Sequence, residues 1–182
     1  MILARWRARR ANRILIDQIH GEIVAAARAP ALFQQFAVPD DLDGRFEMIT
    51  LHAGLVMRRL RQLGANGEAI AQDVFDRVFE QVDDALREMS ISDVGVAKRI
   101  KAMAEAFYGR NKVYDEALAA RDSDRLAAAL ARNVYRDKQS LTAQSRALAC
   151  RVVALAAALE HVPIQAFAQG RFKYPNPAGE PP

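Results

Sequence analysis

A single cysteine, Cys150, stands among the 182 residues, which excludes an intramolecular disulfide and a cysteine-based metal cluster and fits a reducing compartment. The three histidines, His20, His52 and His161, share none of the helical spacings that aim two ligands at one metal. No metal and no cofactor is expected. The nine glycines are dispersed, so no loop can cradle a phosphate and no dinucleotide fingerprint exists. Long apolar runs are lacking too: the longest, Val152 to Leu159, has eight residues, against roughly 20 for a membrane-spanning helix. No serine precedes Ser90, and Asp17, His20 and Glu22 interrupt the apolar positions from Ile14 to Val24. Neither a mitochondrial presequence nor a secretory signal is expected.

What is present reads as helix. Apolar residues make up 51% and charged residues 26%, ordinary for a globular chain, and Val and Ile recur mostly at helical spacing. The expected fold is all-α, a single-domain bundle of about six to eight helices. Its parts are a basic N-terminal segment, 1–13, a helical domain, 14–168, and a Pro-rich tail, 169–182, where Gly170 to Pro182 holds four of the seven prolines. Charge is uneven. Arg5, Arg7, Arg9, Arg10 and Arg13 precede every acidic residue, so a chain of net charge +4 has a body summing to −1 from residue 14 onward. Attraction to anionic lipid or RNA is therefore local to the N-terminus.

Taken in order, Ile16, Ile19, Ile23 and Ala27 mark a first core helix ending before Pro30, and Phe33 and Phe36 follow in a short helix or loop. Pro39-Asp-Asp-Leu-Asp-Gly44 is a turn that delivers Arg45 to a helix lined by Phe46, Ile49, Leu51, Leu55, Val56 and Leu60. Gly54 within it implies a close helix crossing, and Arg58, Arg59 and Arg61 suit its C-terminal dipole. Ala65-Asn-Gly67 reads as the turn into the next helix. There Val74, Val78, Val82 and Leu86 form the apolar face, and Asp73, Asp76, Glu80, Asp83, Asp84 and Glu88 make the other face acidic. Ser90, Ser92 or Asp93 can cap a following helix with an apolar stripe of Val96, Ala97, Ile100, Ala104 and Phe107 and a basic side of Lys98, Arg99 and Lys101. Gly109 reads as a kink or helix end. Arg121-Asp-Ser-Asp124 is a break and cap. Leu126, Leu130 and Val134 begin a further helix, and Leu141, Leu148, Val152, Leu155 and Leu159 mark a last long one, limited by Pro163.

Catalysis is not expected. Cys150, mid-helix among Ala and Leu, reads as a small buried hydrophobe, and Asp83 and Asp84, adjacent on a helix, point about 100° apart and share no site. His52 reads as buried and hydrogen-bonded, facing Arg45 or an acid across the bundle.

The strings Gln72-x-Val-Phe-Asp76, Phe79-x-x-x-Asp83, Leu86-Arg-Glu-Met89, Asp93-x-x-Val96-x-Lys98-x-x-Lys101-x-Met103 and Ala106-Phe-Tyr-Gly-Arg110, with Gly44-Arg-Phe-Glu47 and Leu51-His52 upstream, run through Pro39 to Leu118. In these strings the chain resembles the ubiquinol:cytochrome c reductase assembly chaperones. The resemblance implies a non-enzymatic bacterial assembly chaperone that holds newly synthesised cytochrome b, in the cytoplasm or peripherally on the inner face of the inner membrane. The residues expected to meet a partner are Arg45, Glu47, Arg87, Glu88, Lys98, Lys101, Tyr108, Arg110, Lys112 and Tyr114. Of these, Tyr108, Arg110, Lys112 and Tyr114 are the surface candidates, because aromatics and Arg are enriched where partners dock. Arg5, Trp6, Arg7, Arg9, Arg10 and Arg13 are the candidates for an anionic membrane surface. A ribosome- or RNA-binding module using the same arginines is the alternative; DNA is not an expected partner.

Overall fold

The computed structural model describes the backbone of residues 2–88, 93–136 and 142–176, and side chains from Asn12 onward within those ranges. The described residues form eight helices and no strand: α1 (Ile2–Ala27), α2 (Pro30–Gln34), α3 (Leu42–Gln62), α4 (Ala65–Glu88), α5 (Asp93–Ala119), α6 (Ser123–Asn133), α7 (Ala143–Glu160) and α8 (Ile164–Ala168). This is the expected all-α bundle.

Helix α3 is its axis. The Asp41 carboxylate accepts from the Gly44 amide at 2.8 Å and caps the helix. Every residue from Thr50 to Met57 is then buried, a helix apolar on all sides and therefore surrounded. Helices α1, α4, α5 and α7 all pack on it. At Gly54 the approach of α5 is closest: a Cβ there would lie 1.6 Å from Asn111 Oδ1. The crossing expected from that glycine is therefore present, and its occupant is the Asn111 side chain, which donates to the Thr50 carbonyl at 3.3 Å and the Phe107 carbonyl at 3.0 Å.

Two helix limits differ from the sequence reading. The turn before α4 is made one step earlier, at Gly64, whose φ of +81° is available to glycine at little cost. Ala65-Asn-Gly67 is already helical, with Gly67 packed against the Leu60 carbonyl. Gly109 does not end a helix; α5 runs through it, because Phe107 on one side and Asn111 and Tyr114 on the other are all buried and hold both halves to the core. The penalty of about 1 kcal/mol for a mid-helix glycine is small beside that burial. The cap candidates Ser90 and Ser92, and Leu141, lie outside the described residues.

Several charged contacts tie the layers. Arg77 of α4 donates to Asp17 of α1 at 2.6 Å, and the Asn12 amide donates to Asp73 at 2.9 Å. Arg58 and Arg61, expected only to complement the α3 dipole, lie 3.6 and 3.7 Å from Asp115 of α5, while Arg59 donates to the Val162 carbonyl at 3.0 and 2.9 Å. The chain after α8 is extended yet docked: Phe172 is buried and stacks on Phe167 with ring centres 4.7 Å apart. Glu22 of α1 accepts from the Lys173 ammonium at 2.7 Å and the Tyr174 amide at 3.0 Å.

Candidate interaction surface

Where α4 packs on α5, four aromatic rings meet. Phe75 and Phe79 are one turn apart on α4 and so share a face, with ring centres at 4.6 Å. Phe107 meets both from α5, at 5.4 and 5.8 Å, edge-on. Its neighbour Tyr108 points about 100° away around the helix and lies over Phe75 at 4.9 Å. Phe107 is accordingly buried at 1% exposure, the packing role its spacing predicts, whereas Tyr108 keeps 48% of its surface in solvent. The cluster thus runs from core to surface and ends in a ring with one covered side.

One turn further on, Arg110 donates to the Glu47 carboxylate at 2.8 Å, linking α5 to α3. Glu47 is 6% exposed and its other oxygen, Oε2, has no hydrogen-bond partner. Burial outweighs the Arg110 charge and lifts the carboxyl pKa to about 7, with Asp43 pushing the same way. Tyr114, expected at the surface, is interior at 2% exposure. Its hydroxyl accepts from Asn133 of α6 at 3.0 Å, and burial raises its pKa. The reason is its position one turn past Arg110, on the Phe107–Asn111 face of α5 rather than the Tyr108 face. Neither Glu47 nor Tyr114 can touch a docked partner directly in this structure.

The other candidates separate into paired and unpaired groups. Arg45 donates to Asp40 at 2.7 Å, and His52, expected to face Arg45 or an acid, meets the Met48 carbonyl instead. Arg87 reaches Asp83 at 2.5 Å and Asp93 at 2.6 Å, which raises its pKa. Glu88, Lys98, Lys101 and Lys112 are exposed, and among the described residues the three lysines form no ion pair. Arg13 is exposed on α1. The side chains of Arg5, Trp6, Arg7, Arg9 and Arg10 lie outside the described residues, although the α1 backbone carries them without a break at residue 13.

His52 is buried as expected and bound differently. Its Nδ1 lies 2.8 Å from the Met48 carbonyl, which can only accept, so Nδ1 carries the proton. Nε2 is buried with no hydrogen-bond partner, and burial depresses the imidazole pKa to about 4. Tyr174 closes over this ring at 5.4 Å, and its hydroxyl donates to the His52 carbonyl at 3.4 Å. No periodic pattern announces that contact; the aromatic alternation of Phe172 and Tyr174 beside the tail prolines is its one signal. Cys150, expected inside, is exposed, because α7 turns its Leu148, Ala149, Val152 and Leu155 side to the core and leaves residue 150 outside. An open groove of about 300 Å³ lies between α5, α6 and α7, lined by Arg58, Leu126, Val153 and Glu160 among others. Among the described residues no helix is long and apolar enough to cross a membrane.

The chain is similar to known proteins over much of its length. The family model described as ubiquinol-cytochrome C chaperone matches residues 34–174, which takes in α3 to α8 and the docked segment. A crystal structure titled as the Cbp3 homolog from Brucella abortus superposes with a TM-score of 0.85 at 37% identity, over 98% of this chain and 99% of that one. The ubiquinol-cytochrome-c reductase complex assembly factor 1 of Xenopus laevis is 30% identical over 102 residues, 56% of this chain and 50% of that protein. Its Mus musculus counterpart is 27% identical over 106 residues, 58% and 36% respectively. The matched regions thus span half or less of these curated relatives' length.

Proposed function

The chain belongs to the ubiquinol-cytochrome C chaperone family, and from that premise we propose that it binds newly made cytochrome b and assists the biogenesis of ubiquinol:cytochrome c reductase. The observation that carries this reading is the family match over residues 34–174 together with the shared fold. The proposed client surface is the α4–α5 face, with half-exposed Tyr108 and the exposed Lys98, Lys101 and Lys112. The protein acts by offering that surface and breaks or makes no bond. Residues 1–13 are the proposed attachment to the membrane: Arg5, Arg7, Arg9, Arg10 and Arg13 each add attraction of about 1 kcal/mol near an anionic leaflet, with Trp6 at headgroup depth. The working location is the inner face of the bacterial inner membrane.

Deleting the gene and recording the reduced-minus-oxidised haem b spectrum of membranes tests the proposal. Loss of the cytochrome b signal, restored by the wild-type gene, is expected; undiminished cytochrome b content refutes it.

The five N-terminal arginines also support a second reading, contact with ribosomal RNA. It requires salt-sensitive cosedimentation with ribosomes that is lost when those arginines are replaced. If the replaced chain still cosediments but no longer floats with anionic liposomes, membrane attachment stands instead.

A further inference from the structure

Six positions of α5, Val94, Lys98, Lys101, Glu105, Tyr108 and Lys112, succeed one another at steps of three or four residues and so lie on one face of the helix. All six are exposed, Val94 at 82% and Tyr108 at 48%, while the opposite face buries Val96, Phe107, Asn111 and Tyr114. The stripe is about 27 Å long at 1.5 Å per residue.

Its lysines differ from the arginines that tie the helices and their connections together. Arg58, Arg77, Arg87, Arg110, Arg125 and Arg136 each meet an acid of this chain. Among the described residues Lys98, Lys101 and Lys112 meet none. The stripe also carries apolar contact area that is already ordered. Tyr108 is backed by Phe75 at 4.9 Å and Phe107 at 5.8 Å, so a partner that covers it pays little further ordering entropy.

We infer that this stripe docks an acidic helical segment of a protein partner, with carboxylates meeting Lys98, Lys101 and Lys112, a basic residue opposite Glu105, and an apolar side chain on Tyr108. Two helices can pair along such a length through complementary charges flanking an apolar contact. A phosphate backbone fits less well. Glu105 interrupts the lysines, and a protein segment can set a basic residue opposite it, whereas a uniformly charged phosphate backbone meets repulsion there.

The inference rests on the proposed function in taking the partner to be a subunit of the reductase. Its test uses the full chain and synthetic peptides covering the soluble loops and termini of every reductase subunit of the same organism, read by fluorescence anisotropy. The bound peptides are expected to be net acidic and to lose binding when their carboxylates are amidated. The combined Lys98→Glu, Lys101→Glu and Lys112→Glu variant should bind them about tenfold more weakly, and Tyr108→Ala about fivefold more weakly, with unchanged circular dichroism. Binding should also weaken with salt. Three results overturn the inference: no acidic peptide binds, the triple variant binds within twofold of wild type, or only polyuridine RNA binds in a lysine-dependent way. Complementation separates it from the parent reading. If the triple variant restores haem b to a deletion strain, the stripe is refuted and the chaperone function stands. If the deletion strain keeps its haem b, the chaperone function falls while peptide binding still decides the stripe.

Discussion

Replacing glycine by alanine inside a helix ordinarily stabilises by up to about 1 kcal/mol, through higher propensity and a less flexible unfolded chain. Two glycines of this bundle should respond with opposite sign. Gly109 sits mid-α5 with nothing within 4 Å of a built Cβ, so Gly109→Ala should gain about 0.5–1 kcal/mol. Gly54 sits mid-α3, where the same methyl would lie 1.6 Å from Asn111 Oδ1 and 2.4 Å from its Cγ. Asn111 is 7% exposed and holds two carbonyls, so it can give way only by surrendering those bonds and prising α5 from α3. Overpacking of this kind costs about 1–3 kcal/mol, which exceeds the propensity gain. The net expectation for Gly54→Ala is a loss of about 1–2 kcal/mol, or a fall in Tm of about 2–8 °C for a chain of this size. Urea unfolding followed by far-ultraviolet circular dichroism, with thermal scans alongside, measures both. In the double variant Gly54→Ala, Asn111→Ala the two changes should be strongly non-additive, since each removes the other's obstacle. A Gly54→Ala protein as stable as wild type, or two changes that simply add, would refute the account of the α3–α5 crossing.

Three further outcomes follow from buried and exposed groups. Glu47 has a folded pKa of about 7, above its ordinary 4.5, so its stability penalty is absent below pH 4.5, grows through that window and is complete above 7; Glu47→Gln should flatten that part of the stability–pH curve by about 1–3 kcal/mol in denaturation at pH 5 to 8. His52, lowered from 6.5 to about 4, has the reverse sign, its neutral-ring contribution being lost as pH falls from 6.5 towards 4; nitrogen-15 shifts should show a neutral Nδ1–H ring still at pH 5.5, and a ring titrating near 6.5 would contradict the burial argument. Cys150, exposed on α7, should react with a maleimide in the native protein within a few fold of its rate in urea, whereas protection until unfolding would place it inside.

The helices were legible because burial in a bundle repeats at 3.6 residues. Ile16-Ile19-Ile23, Val74-Val78 and Leu148-Val152-Leu155 are core in the structure as in the pattern. What periodicity does not encode is the angle at which a helix is set against its neighbours. Tyr108 and Tyr114 both follow a conspicuous aromatic motif, yet six residues place them about 120° apart from each other's side of α5, and only the positions of α3, α4 and α6 decide which is covered. The same ambiguity put Cys150 inside. Local propensity misplaced Gly109, because tertiary burial on both sides overrode a weak preference. The docked segment carries no periodic signal at all, being extended and flanked by proline, and the Glu22 carboxylate that holds it lies some 150 positions earlier in the chain.

That latch orders events during synthesis. Glu22 waits, and the His52 ring stands open on one side, until Lys173 and Tyr174 have been made. The body is therefore closed only by its late-made segment, and a nascent copy halted before residue 174 lacks these contacts along its first and third helices.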